Sequence, residues 1–217
     1  MRADATCWRC QGETGTALVC ASCGAIRPLP PGIDLFAVLG LPRRLALDPA
    51  DLERRYLDAS RSVHPDRFQT ADARERDLSL AASAAVNRAY RTLRDPVARG
   101  RYWLELHGAR LGENGPRVPA AIAAEVFETQ EKLEELRGAG AGAAGVRGEV
   151  ETLHDTLAAR IAGLREELEA RYAAENGDAP ALDELHRRLA EISYLGTLLG
   201  DVEEALGDGL RGTDRRH

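Results

Sequence analysis

All four cysteines of this 217-residue chain lie in its first 23 positions, as Cys7-Trp8-Arg9-Cys10 and Cys20-Ala21-Ser22-Cys23, two C-x-x-C pairs separated by nine residues. Each pair can turn back on itself so that both sulfurs face one point. Two such turns close a tetrahedron of thiolates around a single ion, for which Zn²⁺ is the usual occupant. Gly12 and Gly24 are expected to supply the backbone freedom of the turns. Four thiolates leave no position for water or substrate, so the site reads as structural and not catalytic. Residues 1–30 bury too little apolar surface to fold alone, which makes the metal's binding energy the module's folding energy. Two disulfides would need an oxidising compartment, and a redox C-x-x-C would need a βαβ context that the sequence lacks. Iron stays open, because tetrathiolate sites accept it.

The chain as a whole has ordinary globular composition, 44% hydrophobic and 29% charged, so wholesale disorder is not expected. Net charge is -6, and Lys132 is the only lysine among 29 basic residues. The balance gives no overall footprint for nucleic acid. Arg2, Arg9 and Arg27 are too few to make the cysteine module a basic grip. No apolar run reaches the roughly 20 residues that span a bilayer, and Met1-Arg2-Ala3-Asp4 opens without an apolar signal region. The expectation is a cytoplasmic protein without membrane or nucleic-acid partners.

Leu29-Pro30-Pro31-Gly32 reads as a stiff linker, after which a first helical domain is expected over 33–112. Asp34 can cap a short helix carrying Leu35, Phe36, Val38 and Leu39, ended by Gly40. Asp48-Pro49-Ala50-Asp51 reads as N-cap, N1 proline and an acidic N3. Leu52, Tyr56, Ala59 and Val63 then share one buried face, with Arg54, Arg55 and Arg61 largely away from it. On their own, these arginines read as a solvated face paired with residues such as Asp58. The helix stops at His64-Pro65-Asp66, because the residue before a proline is pushed out of helical dihedrals. A second helix from Ala71 to Ala73 onward carries Leu78, Ala82, Ala85, Ala89 and Leu93 on one stripe, suited to close antiparallel packing. Asp95-Pro96 caps a further helix, with Trp103, Leu104 and Leu106, that ends at Gly108.

Arg54-Arg55-Tyr56, then His64-Pro65-Asp66-Arg67-Phe68, then Val86-Asn87-Arg88-Ala89-Tyr90-Arg91-Thr92-Leu93-Arg94-Asp95-Pro96 resembles a J-domain. The resemblance implies that the arginine-bearing helix lies on acidic surface of a DnaK-class ATPase chaperone. It also implies that Asp66 engages a chaperone arginine and so triggers ATP hydrolysis. The chaperone-binding set is then Arg54, Arg55, Arg61, His64, Pro65, Asp66 and Arg67. Proline stiffens the loop, and arginine suits planar carboxylate pairing. No second titratable group is spaced to give His64 an acid-base task, so its part is to orient the loop.

Glycine and proline at 112–119 break the pattern before a second domain, expected over 116–206. Its first helix carries Ile122, Val126, Phe127, Leu133 and Leu136. A flexible glycine-alanine connector is expected over 138–148. Two long stripes follow, Val150 to Leu168 and Leu182, Leu185, Leu189, Ile192, Leu199, Val202 and Leu206. They are joined by a turn around Asn176 to Pro180, and a disordered tail is expected over 207–217. The fold class is all-α: a J-domain hairpin plus a three-helix antiparallel bundle behind a small zinc knuckle.

A short J-domain followed by a compact three-helix domain resembles the HscB family of iron-sulfur cluster assembly co-chaperones, some of which carry a tetracysteine module in front. The resemblance implies two partners, an HscA-like chaperone of the DnaK class and an IscU-like iron-sulfur scaffold. The scaffold would bind a client face at Ala123, Ala124, Phe127, Glu128 and Glu131 with Tyr194 on the last helix. The two alanines depart from the family's larger apolar residues and remove contact area. On the residues alone, Phe127 and Tyr194 can equally fill the bundle core. Catalysis belongs to the partner chaperone, since no carboxylate pair, triad or phosphate loop appears in this chain. A general J-domain co-chaperone with another client is the alternative, and a zinc-dependent nucleic-acid adaptor is a third reading that the acidic balance disfavours.

Overall fold

The structure, a computed structural model, describes residues 6–13, 15, 17–109, 122–138, 143–174 and 182–213. These form seven helices and one short 3₁₀ turn, with two isolated β-bridges, Thr6 to Glu13 and Val19 to Ile26, in the cysteine module. The all-α class expected from the periodicities is what the described residues adopt. They divide into two compact units, one holding residues up to Tyr102 and the other those from Trp103 onward.

In the first unit, α1 (Leu35–Val38) is capped by Asp34, whose carboxylate accepts from the Phe36 N–H. The Tyr102 hydroxyl donates to the same carboxylate and accepts from the Leu35 N–H, both at 2.9 Å. Helix α2 (Pro49–Val63) starts as its sequence dictates, with the Asp48 carboxylate accepting from the Ala50 N–H and proline in the first turn. It ends at His64, and Pro65–Phe68 form the 3₁₀ turn before α3 (Ala73–Arg94), which is capped by Asp72. Two hydroxyls of α3, Ser79 and Ser83, donate to the Val63 carbonyl at 2.7 and 3.1 Å, satisfying a carbonyl at the buried end of α2. Further along, Tyr56 stacks on Tyr90 with ring centroids 4.1 Å apart, and its hydroxyl donates to the Asn87 side chain. Helix α4 (Pro96–Leu106) takes Asp95 as its cap and closes at Gly108, which has φ +76°.

The second unit is built on α5 (Ala123–Gly138), α6 (Ala143–Ala174) and α7 (Leu182–Thr213). Ile122, Leu133, Val150, Leu157, Leu195, Leu198 and Val202 make one core cluster. The ion pairs fix the directions. Arg171 meets Glu184, Arg160 meets Glu191 and His154 meets Glu203, so α7 runs antiparallel to α6. Arg160 also meets Glu125 and Lys132 meets Glu149, so α5 is antiparallel to α6 as well.

Two local expectations change. The connector expected over 138–148 is shorter, since α6 begins at Ala143 and takes in Gly145 and Gly148. Each glycine costs about 1 kcal/mol in a helix, but extending an existing 32-residue helix needs no new nucleus. The tail expected from Gly207 is helical to Thr213 by the same extension, and 214–217 lie outside the described residues. So do the turn placed at Asn176 to Pro180 and the glycine-proline break at 112–119.

Candidate functional site

The cysteine cluster is made by two matching turns. The Cys7 N–H donates to the Gly12 carbonyl and the Gln11 N–H to the Cys7 carbonyl. The Cys20 N–H donates to the Ala25 carbonyl and the Gly24 N–H to the Cys20 carbonyl. The left-handed residue of the second turn is Gly24, at φ +73°, as expected, but in the first it is Gln11, at φ +62°. Gly12 serves differently, because a Cβ there would sit 3.4 Å from the Cys10 sulfur. The four Sγ atoms lie within 4.8 Å of one another, with Cys7 to Cys23 at 3.6 Å and Cys10 to Cys20 at 3.7 Å. Sulfurs about 2.3 Å from a tetrahedral ion stand about 3.8 Å apart, so the spacing suits a four-thiolate metal centre. Backbone N–H groups of Cys23 and then Ser22, aimed at the Cys20 sulfur, hold its thiol down to about 6. Those of Cys10 and Arg9 lower Cys7. At Cys23 the Ala25 N–H pulls down, but burial and the neighbouring thiols push it up to about 12. Cys7 and Cys20 are thus shifted toward the thiolate form in which cysteine binds a metal.

The expected chaperone-binding residues gather on α2 and the turn that follows it. Asp66 is 71% exposed. It is steadied rather than buried, with the Gln69 amide donating to its carboxylate at 3.1 Å and its own N–H donating to His64 Nδ1 at 3.3 Å. Pro65 opens the 3₁₀ turn, and Arg67 is exposed within it. Arg54 and Arg61 are exposed and pair with Asp51 and Asp58 on their own helix. Arg55 is committed inward. It donates to Asp51 at 2.8 Å and to the Gly40 carbonyl at 2.6 Å, tying α2 to the end of α1. The Arg55 hydrogen bond outweighs burial, which acts the other way, and holds the Asp51 carboxyl below its ordinary value.

On α5, Ala123, Ala124, Phe127, Glu128 and Glu131 are all exposed, and Phe127 is 64% accessible. Tyr194 is half-buried and packs against the bundle core. The solvent-facing phenylalanine is therefore Phe127, flanked by carboxylates. On the stripe of α5 that faces α6, Lys132 bridges to Glu149 along a cleft of about 370 Å³.

One set of contacts was not anticipated by any motif. Arg9, inside the first C-x-x-C, donates to both oxygens of Glu75 at 3.0 and 3.2 Å, and the Arg74 guanidinium lies 4.1 Å over the Trp8 ring. Asp72-x-x-Glu75 has the form of a capping box, which signals a helix start but carries no sign of a partner 66 residues away.

No family model matches the chain. A co-chaperone protein HscB homolog of Aromatoleum aromaticum is 38% identical over 174 residues, covering 80% of this chain and 95% of that protein. An iron-sulfur cluster co-chaperone protein HscB homolog of Arabidopsis thaliana is 34% identical over 131 residues, 60% of this chain and 52% of that protein. The crystal structure of human co-chaperone protein HscB superposes with a TM-score of 0.69 at 27% identity, covering 91% of this chain and 96% of that one.

Proposed function

The chain belongs to the HscB co-chaperone family, and from that premise we propose that it stimulates ATP hydrolysis by a DnaK-class chaperone and delivers an iron-sulfur scaffold protein to it. Residues 33–112 act as the J-domain, 116–206 as the client-binding bundle, and 1–30 as a module folded around zinc. Cys7, Cys10, Cys20 and Cys23 hold the ion, whose contribution is structural because four thiolates fill a tetrahedral shell.

The observation that carries the reading is Asp66, an exposed carboxylate at the tip of a stiff helical hairpin. Its backbone is pinned by Pro65 and by the His64 side chain, so little ordering entropy is lost when it meets a cationic partner. Arg54 and Arg61 present guanidinium groups on the preceding helix, where acidic chaperone surface can exchange for Asp51 and Asp58. Such surface pairs are worth little internally, about 0–1 kcal/mol, so giving them up costs little. Hydrolysis takes place on the chaperone, and this chain supplies the contact that triggers it.

For the client, Phe127 offers an apolar anchor and Glu128 and Glu131 set its rim. Binding hot spots are anchored by large side chains that become desolvated at the centre of an interface, inside a rim that excludes water. Ala123 and Ala124 contribute little area, so affinity rests more heavily on Phe127 here than where the neighbours are large. Full-length Asp66→Asn should keep its helicity and scaffold binding and lose stimulation of the chaperone's ATPase. Truncating one member of a desolvated charge pair costs about 2–5 kcal/mol. Stimulation at the wild-type level by that variant would refute the assignment. Calorimetric titration of the full chain with the scaffold, repeated with Phe127→Ala, tests the client face in the same way.

A further inference from the structure

The two residues between Cys7 and Cys10 are Trp8 and Arg9, and both face α3. Arg9 meets Glu75, a carboxylate only 4% exposed. Trp8 lies under Arg74, and its indole N–H donates to the Ile26 carbonyl at 2.8 Å, which ties the ring to the segment following the second cysteine pair. Arg74 and Glu75 belong to the first turn of α3, where Asp72 accepts from the Glu75 N–H at 2.8 Å. Just before that turn, the Ala71 N–H donates to the Phe68 carbonyl, and the Arg67 N–H donates to the His64 carbonyl. Ser79, one turn further along α3, holds the Val63 carbonyl immediately before His64.

We propose that Trp8 and Arg9 are positioning residues: they clamp the first turn of α3, and through it tie metal binding in the cysteine cluster to the geometry of the His64-Pro65-Asp66 turn. This rests on the reading that the cluster takes zinc. The physical reason is that a C-x-x-C turn is one rigid body once both sulfurs are fixed, so the two residues between them are fixed with it. Without the ion, a module this small has little apolar burial to hold Arg9 in place. Glu75 is then left as a buried carboxylate without the partner that offsets its desolvation. Docking and metal binding therefore favour each other, and by linkage each changes the other by the same factor.

Linkage supplies a readout other than chaperone activity. Zinc affinity of the full-length chain, measured by competition with a chromophoric chelator, should fall when a residue of α3 that does not touch the metal is changed. Glu75→Gln is expected to lower it about fivefold or more, within the usual range of coupling between sites. Arg74→Ala, at an exposed position where α3 stays folded, should lower it about twofold to fivefold by removing the cation–ring contact. Asp77→Asn makes the same charge change in the same region on an exposed residue and should leave the affinity unchanged. In the wild-type chain, zinc removal should also speed amide exchange from residue 64 to residue 76. Equal zinc affinity in wild type, Glu75→Gln and Arg74→Ala would overturn the coupling while leaving the zinc site intact. A wild-type chain that takes up no zinc would overturn the zinc reading and the coupling together.

Discussion

Two antiparallel helix pairs, α2 with α3 and α6 with α7, are held by different chemistry. In the shorter pair the register is set by polar handles: two serine hydroxyls on the Val63 carbonyl, the Tyr56 to Asn87 hydrogen bond and the Tyr56–Tyr90 stack. In the longer pair each helix has 32 residues, about 48 Å at the rise of an α-helix. There, buried leucines recur along the interface, and ion pairs only mark the edges. A short hairpin gains from directional bonds that fix where its end lies. Long helices gain more from repeated apolar burial, which is tolerant of small shifts.

That contrast can be broken first at its apolar end. Leu157→Ala removes a fully buried side chain from the bundle core, and Leu→Ala changes at such sites cost about 2–5 kcal/mol. Urea unfolding of the full chain should register that loss, with the protected amides of α5 to α7 exchanging faster. A loss under about 1 kcal/mol would mean that the core refills the space. Asp48→Ala, which deletes the cap of α2, is expected to cost about 1 kcal/mol. It should act on the first turn of α2 without disturbing the serine contacts at the other end. If it proves as costly as the leucine change, the polar pair is more cooperative than its contacts suggest.

The smallest effect belongs to His154, on the edge of the long pair. Hydrogen bonds to Asp155 and, after burial's opposing effect, to Glu203 raise its pKa above the ordinary value of 6.5. Its protonated form is therefore favoured in the folded chain. The stabilisation is complete below pH 6.5 and fades as pH rises through the raised folded value. Urea midpoints at about pH 6 and pH 8 should differ slightly less in His154→Gln than in wild type. Identical differences would remove His154 from the account.

Much of this was legible in order along the chain because local chemistry decides it. Asp34, Asp48 and Asp95 announce helix starts by side-chain capping, and His64-Pro65 announces a stop by steric exclusion. The cysteine spacing predicted a cluster that the sulfur positions suit. What escaped depended on context. Leu195 and Leu198 are buried beside Leu199, the partly buried residue that the near-heptad stripe includes, because a straight helix drifts against a seven-residue repeat. Gln11 occupies the left-handed position for which glycine was expected, since a closing turn can impose a conformation that a side chain disfavours. The helical start at Ala143 reflects helix extension that composition could not reveal. The exposure of Phe127 and the half-burial of Tyr194 follow from which stripe of each helix the neighbours cover. The Arg9 to Glu75 pair could not be read at all, because nothing local links position 9 to position 75.

Lys132, bridged to Glu149, is the chain's only lysine, and this has a bearing on covalent control. Every cation on the α2–α3 hairpin is arginine, so acylation or conjugation at side-chain amines finds no acceptor there, and its charge is fixed against enzymes that act on lysine. The same chemistry has one side-chain target, on α5, where neutralising the amine would release Glu149 and make that edge of the bundle more acidic.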